Sequence, residues 1–212
     1  EFIAVPNPDL MCRWGATPFV RAVLFLALLT SPGCAPSDRP EILALATAGT
    51  GGVYYVLGGS IAEFWSRELP EQDFVAEVTG GSVENLSLLL AGDVQVAFSM
   101  GTNAHEVFNA TGSFAGRDPA QVLALAALYP NVLHLVTLEG TGVESLSDLV
   151  GRRISVGAPG SGTEVAARTL LEGNGIGYDD FQPQRLNFNE TASALRDGNI
   201  DAGFLSAGPP TS

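Results

Sequence analysis

No lysine occurs anywhere in the chain, and its 10 basic residues are all arginine. A nucleotide loop of the Walker kind needs a lysine to reach the outer phosphates, and Schiff-base and Ser-x-x-Lys chemistry need one as well. All three are excluded. Cysteine is confined to Cys12 and Cys34, and histidine to His105 and His134, with no carboxylate or thiol at ligand spacing from either imidazole. No metal site and no cofactor is therefore expected. A nucleophile elbow is missing too, because Pro159 stands where the first glycine of Gly-x-Ser-x-Gly would precede Ser161. Basic clusters are absent: Arg152-Arg153 is the single adjacent pair in a chain of formal net charge −13, so nucleic acid is not an expected partner. No apolar run approaches the roughly 20 residues that cross a bilayer.

What is present begins with an export pattern at residues 11–34. Arg13 and Arg21 flank its start, residues 22–29 form a short apolar run, and Ser31-Pro32-Gly33 lead to Cys34. This order is that of a secretory signal. The glycine before Cys34 resembles a bacterial lipobox, whereas Ser31 stands where such a box usually has leucine. Lipidation at Cys34 and ordinary cleavage near it both remain open. A lipid there would be the chain's sole attachment to a membrane. Residues 1–10 lack signal character. Loss of Cys12 with the signal leaves one cysteine and no internal disulfide, so stability must come from a packed core.

The remainder alternates strands and helices. Residues 41–47 read as an apolar strand, followed by the glycine-rich stretch "GTGG" and a helix through about Arg67; residues 73–79 read as a strand, Ser82 to Gly92 as a helix, and 93–100 as a strand. Past residue 150 the order returns. "RRISVGAP" is a strand, "GSGTEVAARTLLEGNG" a loop and helix ended by Gly173, "ETASALRDG" a helix and "NIDAGFLS" a strand. The apolar segment 123–142 lies between, and a capping box is expected either at Thr141 with Glu144 or at Ser145 with Asp148. Alternation of this kind predicts an α/β fold of two similar lobes, residues 41–138 and 139–212.

Ligands of open α/β sheets sit outside the carboxyl ends of the strands, where glycine-rich loops lead into helices. Three such loops occur, at 49–52, 79–82 and 160–163. Facing one cleft, their helix N-termini would hold an anion such as a carboxylate without any basic side chain. The candidate ligand residues are Thr50, Gly51, Gly52, Tyr54, Tyr55, Ser82, Asn85, Ser161, Gly162 and Thr163. Several also have structural roles open to them. Ser161 with Glu164 fits a capping box. Ser82 could cap its helix, and of the adjacent Tyr54 and Tyr55 only one can face the core. Asn85, one turn beyond Ser82, would reach the same side and supply an acceptor for an ammonium group. Arg168, two turns into its helix, is expected at the rim.

The stretches "GTGGVYYVLGGSIAE", "VTGGSVENLSLL", "GAPGSGTEVAARTLL" and "DAGFLSAGPP", in this order behind a signal, resemble the TAXI family of solute receptors for TRAP transporters. The resemblance covers residues 41–212. It implies a periplasmic-binding-protein-like fold of two α/β lobes, with the second lobe incomplete because members continue well past the point matching Ser212. It further implies no enzymatic activity, a periplasmic or cell-surface location, a partner permease of TRAP type, and a small carboxylate ligand such as glutamate, another amino acid, a 2-oxoacid or a dicarboxylate. Departures from the family pattern are Val56 in place of a proline and Met100-Gly101-Thr102 in place of a Gln-Ser-Asp segment. Two alternatives stay open: a receptor for an ABC importer of another organic anion, and a two-lobed transferase of the same fold.

Overall fold

The structure is a computed structural model that describes residues 40–120 and 122–208. Cys34 and the export segment lie outside the described residues. Two sheets organise the chain. The first contains β1 (Glu41–Ala46), β2 (Gln72–Glu77) and β3 (Val96–Ala97) in the order β2-β1-β3, all parallel. The second contains β4 (Val132–Thr137), β5 (Arg153–Ser155), β6 (Gln182–Gln184) and β7 (Ala202–Ala207) in the order β4-β7-β5-β6, with β4 antiparallel to β7 and the other pairs parallel.

In the first half, α1 (Val53–Glu68) and α2 (Ser82–Ala91) each follow a strand directly. Leu45, Ala62 and Phe98 form the buried core under α1, with Tyr54, Trp65 and Phe74 packed on it. Gly58 faces the Thr47 methyl so closely that a Cβ would have no room, which fixes how tightly α1 lies on β1. Gly92 ends α2 in the left-handed region at φ 82°, where glycine carries no steric cost. The strand expected over 93–100 shortens to two paired residues, since β3 borders only β1 among the described residues.

Helix α3 (Gly101–Asn109) is one the sequence reading does not contain. Met100 is its uncapped N-cap, and its buried residues are only Asn103 and Val107, too few to register as a helical stripe. Beyond it come a 3-10 turn at Gly112–Phe114 and a segment without regular structure, in which Leu123 and Leu125 stand 88% and 74% exposed. β4 then hydrogen-bonds along β7 in the second sheet, although it falls within residues 41–138, the stretch assigned from sequence to the first lobe.

The second half is built on Ile154, Val156, Leu171, Ala202 and Phe204, all fully buried, between the sheet and α4 (Gly162–Gly173). Helix α5 (Phe188–Arg196) closes the other face, where the Thr191 and Ser155 hydroxyls share a 2.6 Å hydrogen bond and Gly203 leaves room for the Thr191 methyl. β6 has no counterpart among the strands expected from sequence, because "QPQ" has neither apolar alternation nor length. Of the two capping boxes offered at the start of this half, the one formed is Ser145 with Asp148.

One ion pair ties the two inner strands. Arg153 donates from Nη2 to Asp201 Oδ1 at 2.7 Å, from Nε to Oδ2 at 3.2 Å, and from its backbone amide to Oδ2 at 2.9 Å. The side-chain bonds from Arg153, then its amide, hold the Asp201 carboxyl below its ordinary value of 3.8. A depressed carboxylate contributes stability that is present above the ordinary value and lost as pH falls through the folded one. Asp201→Asn is therefore expected to lower the urea midpoint at pH 7, by an amount that shrinks as pH falls below 3.8. Parallel acid titrations of the two proteins followed by circular dichroism check this.

Candidate functional site

The three glycine-rich loops line one cavity of about 60 Å³, at the carboxyl ends of β1 and β7. Gly49, Gly52, Gly81, Gly162 and Thr163 come from the loops, and Ser206 and Ala207 from β7. This is the position where strand-to-helix turns of both sheets leave backbone groups free.

The helix ends differ in what they offer. Gly52 caps α1 without a side-chain bond, and the Val53 and Tyr54 amides have no acceptor among the described residues. At α4 the Ser161 hydroxyl accepts from the Glu164 amide at 3.1 Å, which leaves the Gly162 and Thr163 amides free beside the cavity. At α2 the expectation of free amides needs correction. The Gly160 carbonyl, from the other half of the molecule, accepts from both Val83 and Glu84 amides at 3.0 Å. Two N-termini from opposite halves therefore face the cavity with free donors, and at the third the Val83 and Glu84 amides are taken by protein while Ser82 lines the cavity.

The sequence-derived residues separate accordingly. Gly52, Tyr54, Ser82, Ser161, Gly162 and Thr163 line the cavity. The Ser82 hydroxyl does not cap α2, whose N-cap is Gly81; it accepts from the Met100 amide at 3.0 Å. Thr50 and Gly51 sit at the rim against Asn189, whose Nδ2 donates to the Thr50 hydroxyl at 3.3 Å. Tyr55 points outward, 36% exposed, because its neighbour Tyr54 takes the inward position, stacked on Phe98 at 5.0 Å between ring centres. Arg168 stays outside the cavity, its guanidinium 3.7 Å above the Tyr178 ring.

Asn85 is placed away from the cavity and fully buried. Its Nδ2 donates to the carbonyls of Thr47 at 2.6 Å and Phe98 at 2.8 Å, and its Oδ1 accepts from the Thr79 hydroxyl at 2.5 Å. Every polar group of this side chain is used to join α2 to the ends of β1 and β3. The acceptor role expected for Asn85 is thus taken up by the fold itself.

Cavity residues outside the candidate set include Tyr129, Asn131, Asn187 and Phe188, with Met100 from the segment that departs from the family pattern. Asn187 carried a usable signal. It forms a capping box with Glu190, accepting from the Glu190 amide at 3.0 Å, so Asn-x-x-Glu marks a fourth helix start beside the cleft. Tyr129 and Asn131 flank Pro130 in the segment between the sheets. Asn131 Nδ2 donates to Tyr54 Oη at 3.4 Å, while Asn131 Oδ1 is buried and has no hydrogen-bond partner. Burial raises the pKa of both Tyr54 and Tyr129, against hydrogen bonds from Ser82 and Asn131 at Tyr54, so both phenols stay neutral donors.

Asn85→Leu should lower the unfolding free energy by about 2–4 kcal/mol, because two buried carbonyls lose their donor. Chemical denaturation measures this; weakened ligand binding at unchanged stability would return Asn85 to the site. Gly80 lies against the Pro159 carbonyl with no room for a Cβ. Gly80→Ala is expected to push the two halves apart and enlarge the radius of gyration in small-angle scattering.

Solved structures with this arrangement of elements exist. The alkanesulfonate-binding protein SsuA from Xanthomonas axonopodis pv. citri, bound to MOPS, superposes with a TM-score of 0.55 at 18% identity, covering 81% of this chain and 56% of that one. A protein of Bordetella bronchiseptica RB50 gives 0.56 at 23% identity, covering 80% and 52%. The GluR0 ligand-binding core from Nostoc punctiforme, in complex with L-glutamate, gives 0.51 at 16%, covering 81% and 72%. The chain thus spans about half the length of the first two. These likenesses show the fold, periplasmic-binding-protein-like α/β. The model of the NMT1-like family matches residues 45–212, from the end of β1 through α5 and β7, and the chain belongs to that family.

Proposed function

We propose that the protein is an extracytoplasmic solute receptor, not an enzyme, that holds a small carboxylate between its two lobes, the second of which includes β4, and passes it to a membrane permease. The observation that carries this reading is the pair of helix N-termini, α1 and α4, whose free amides meet at one cavity from opposite halves. Partial positive charge at a helix N-terminus and charge-assisted hydrogen bonds suit an oxyanion. Gly52, Tyr54, Ser82, Ser161, Gly162 and Thr163 are the proposed contacts, with Thr50, Gly51 and Tyr55 at or outside the rim. Export rests on the sequence of residues 11–34, with Cys34 as the candidate lipid-bearing residue. The TRAP type of the permease rests on the resemblance of the four quoted stretches to TAXI receptors.

A second reading is a receptor for an ABC importer of organic sulfonates, favoured by the likeness to the alkanesulfonate-binding protein. A sulfonate presents the same kind of oxygens to the same amides. Uptake by the receptor with its permease in vesicles separates the two: a sodium or proton gradient drives the first, and ATP the second.

Thermal-shift titration with carboxylates, sulfonates, neutral sugars and cations tests the class of ligand. A carboxylate is expected to raise Tm progressively with its concentration, and to go on raising it past saturation. The Thr163 hydroxyl makes no hydrogen bond to the described protein, so Thr163→Val removes a donor reserved for the ligand and should weaken binding about 10- to 100-fold. A response confined to sugars or cations would overturn the proposal.

A further inference from the structure

Asn187, at the start of α5, uses only one end of its side chain for the fold. Its Oδ1 accepts from the Glu190 amide at 3.0 Å, and Glu190 Oε2 accepts from the Asn187 amide at 2.8 Å, which completes the capping box. With the oxygen committed to the helix, the carboxamide has one orientation, and Nδ2 lies on the side turned away from the Glu190 amide. Nδ2 donates to no acceptor among the described residues. Nor is it among the buried polar atoms left without a partner, so in this half-buried side chain Nδ2 stays open to water.

The surroundings of this donor are those of the cavity. Asn187 lines it and stands across the cleft from the loop that opens α1: a Cβ on Gly49 would touch Asn187 Cβ at 3.5 Å and Cγ at 4.0 Å. The Gly49 carbonyl of that loop already accepts from the Gly52 amide at 3.0 Å. Asn187 therefore faces, from the second half of the molecule, the turn from which the free α1 amides start. Capping needs only the oxygen, which Ser, Thr or Asp would supply equally well. The amine is what asparagine adds.

We infer that Asn187 is a ligand contact, whose Nδ2 donates to an oxygen of the bound anion beside the α1 amides. This rests on the receptor reading above and adds to it a side-chain donor from the opposite half. Specificity follows from the sign of the group: a ligand oxygen completes the donor, whereas an ammonium or a hydroxyl hydrogen placed there would meet another donor.

Two substitutions keep the cap and remove the donor. Asn187→Ser supplies the capping oxygen alone, and Asn187→Asp puts a second carboxylate oxygen where Nδ2 stood. Both variants are expected to unfold within about 3 °C of the unaltered protein, because Ser and Asp cap as well as Asn. Isothermal titration with L-glutamate, pyruvate and ethanesulfonate reads the other role. For whichever of these the unaltered protein binds, Asn187→Ser should weaken binding about 10-fold and Asn187→Asp at least about 100-fold, through repulsion of the anion. Affinities within about 3-fold of the unaltered protein in both variants make Asn187 a cap alone; that overturns the inference and leaves the receptor standing. A loss of binding matched by a fall in Tm of more than about 5 °C in both variants does the same. Binding of none of the three by the unaltered protein overturns both.

Discussion

The Gly160 carbonyl, set between the first-turn amides of α2 at 3.0 Å each, is the contact on which the rest of the site depends. A helix N-terminus leaves four amides unsatisfied, and here two of α2's are met by the opposite half of the molecule. The turn that carries Gly160 is the same turn that starts α4. Docking one helix end thus positions the other, and it brings the Gly162 and Thr163 amides to the cavity. Gly80 against Pro159 allows the approach, because any side chain there would hold the halves apart. On the far side Asn189 reaches Thr50. Protein contacts thus bridge both sides of the cavity, one through backbone and one through side chains.

Closure by backbone groups also explains why the cavity lacks charge. Arginine or aspartate side chains in a cleft this tight would have to be desolvated even when it is empty, at a cost of several kcal/mol each. Helix ends provide partial charge without that cost, because their amides are already part of the fold. The consequence is a cavity whose polarity comes from backbone groups and neutral side chains.

The order of most strands and helices was legible because the strand candidates at 41–47 and 73–79 lead into glycine turns and the helices after them keep their apolar spacing. The lining loops were legible for the same reason. What escaped depends on partners distant in sequence. Asn85 reads as a ligand residue from its place one turn past Ser82, but the carbonyls that claim it lie 38 and 13 residues away. Asn131 meets Tyr54 across 77 residues, and no local pattern around Pro130 announces it. Helix α3 failed on a different ground: Gly101 and Thr102 open it without a cap, and packing of Val107 on Leu86 and Phe114 supplies what propensity does not.

The chain's net charge of −13 sets the surface against the ligand it is proposed to hold. Long-range attraction cannot be what brings an anion in, since the field outside is repulsive. At physiological ionic strength that repulsion fades beyond about 8 Å, so it acts mainly at the mouth of the cleft. There the acids are largely engaged: Glu164 with Arg185 and Arg168, and Glu84 with the Gly80 amide. Glu164 is thus compensated by arginine, while Glu84 is held by an amide close to its own helix N-terminus. Selection then happens inside the cavity, by which groups find partners, and hardly at all by encounter.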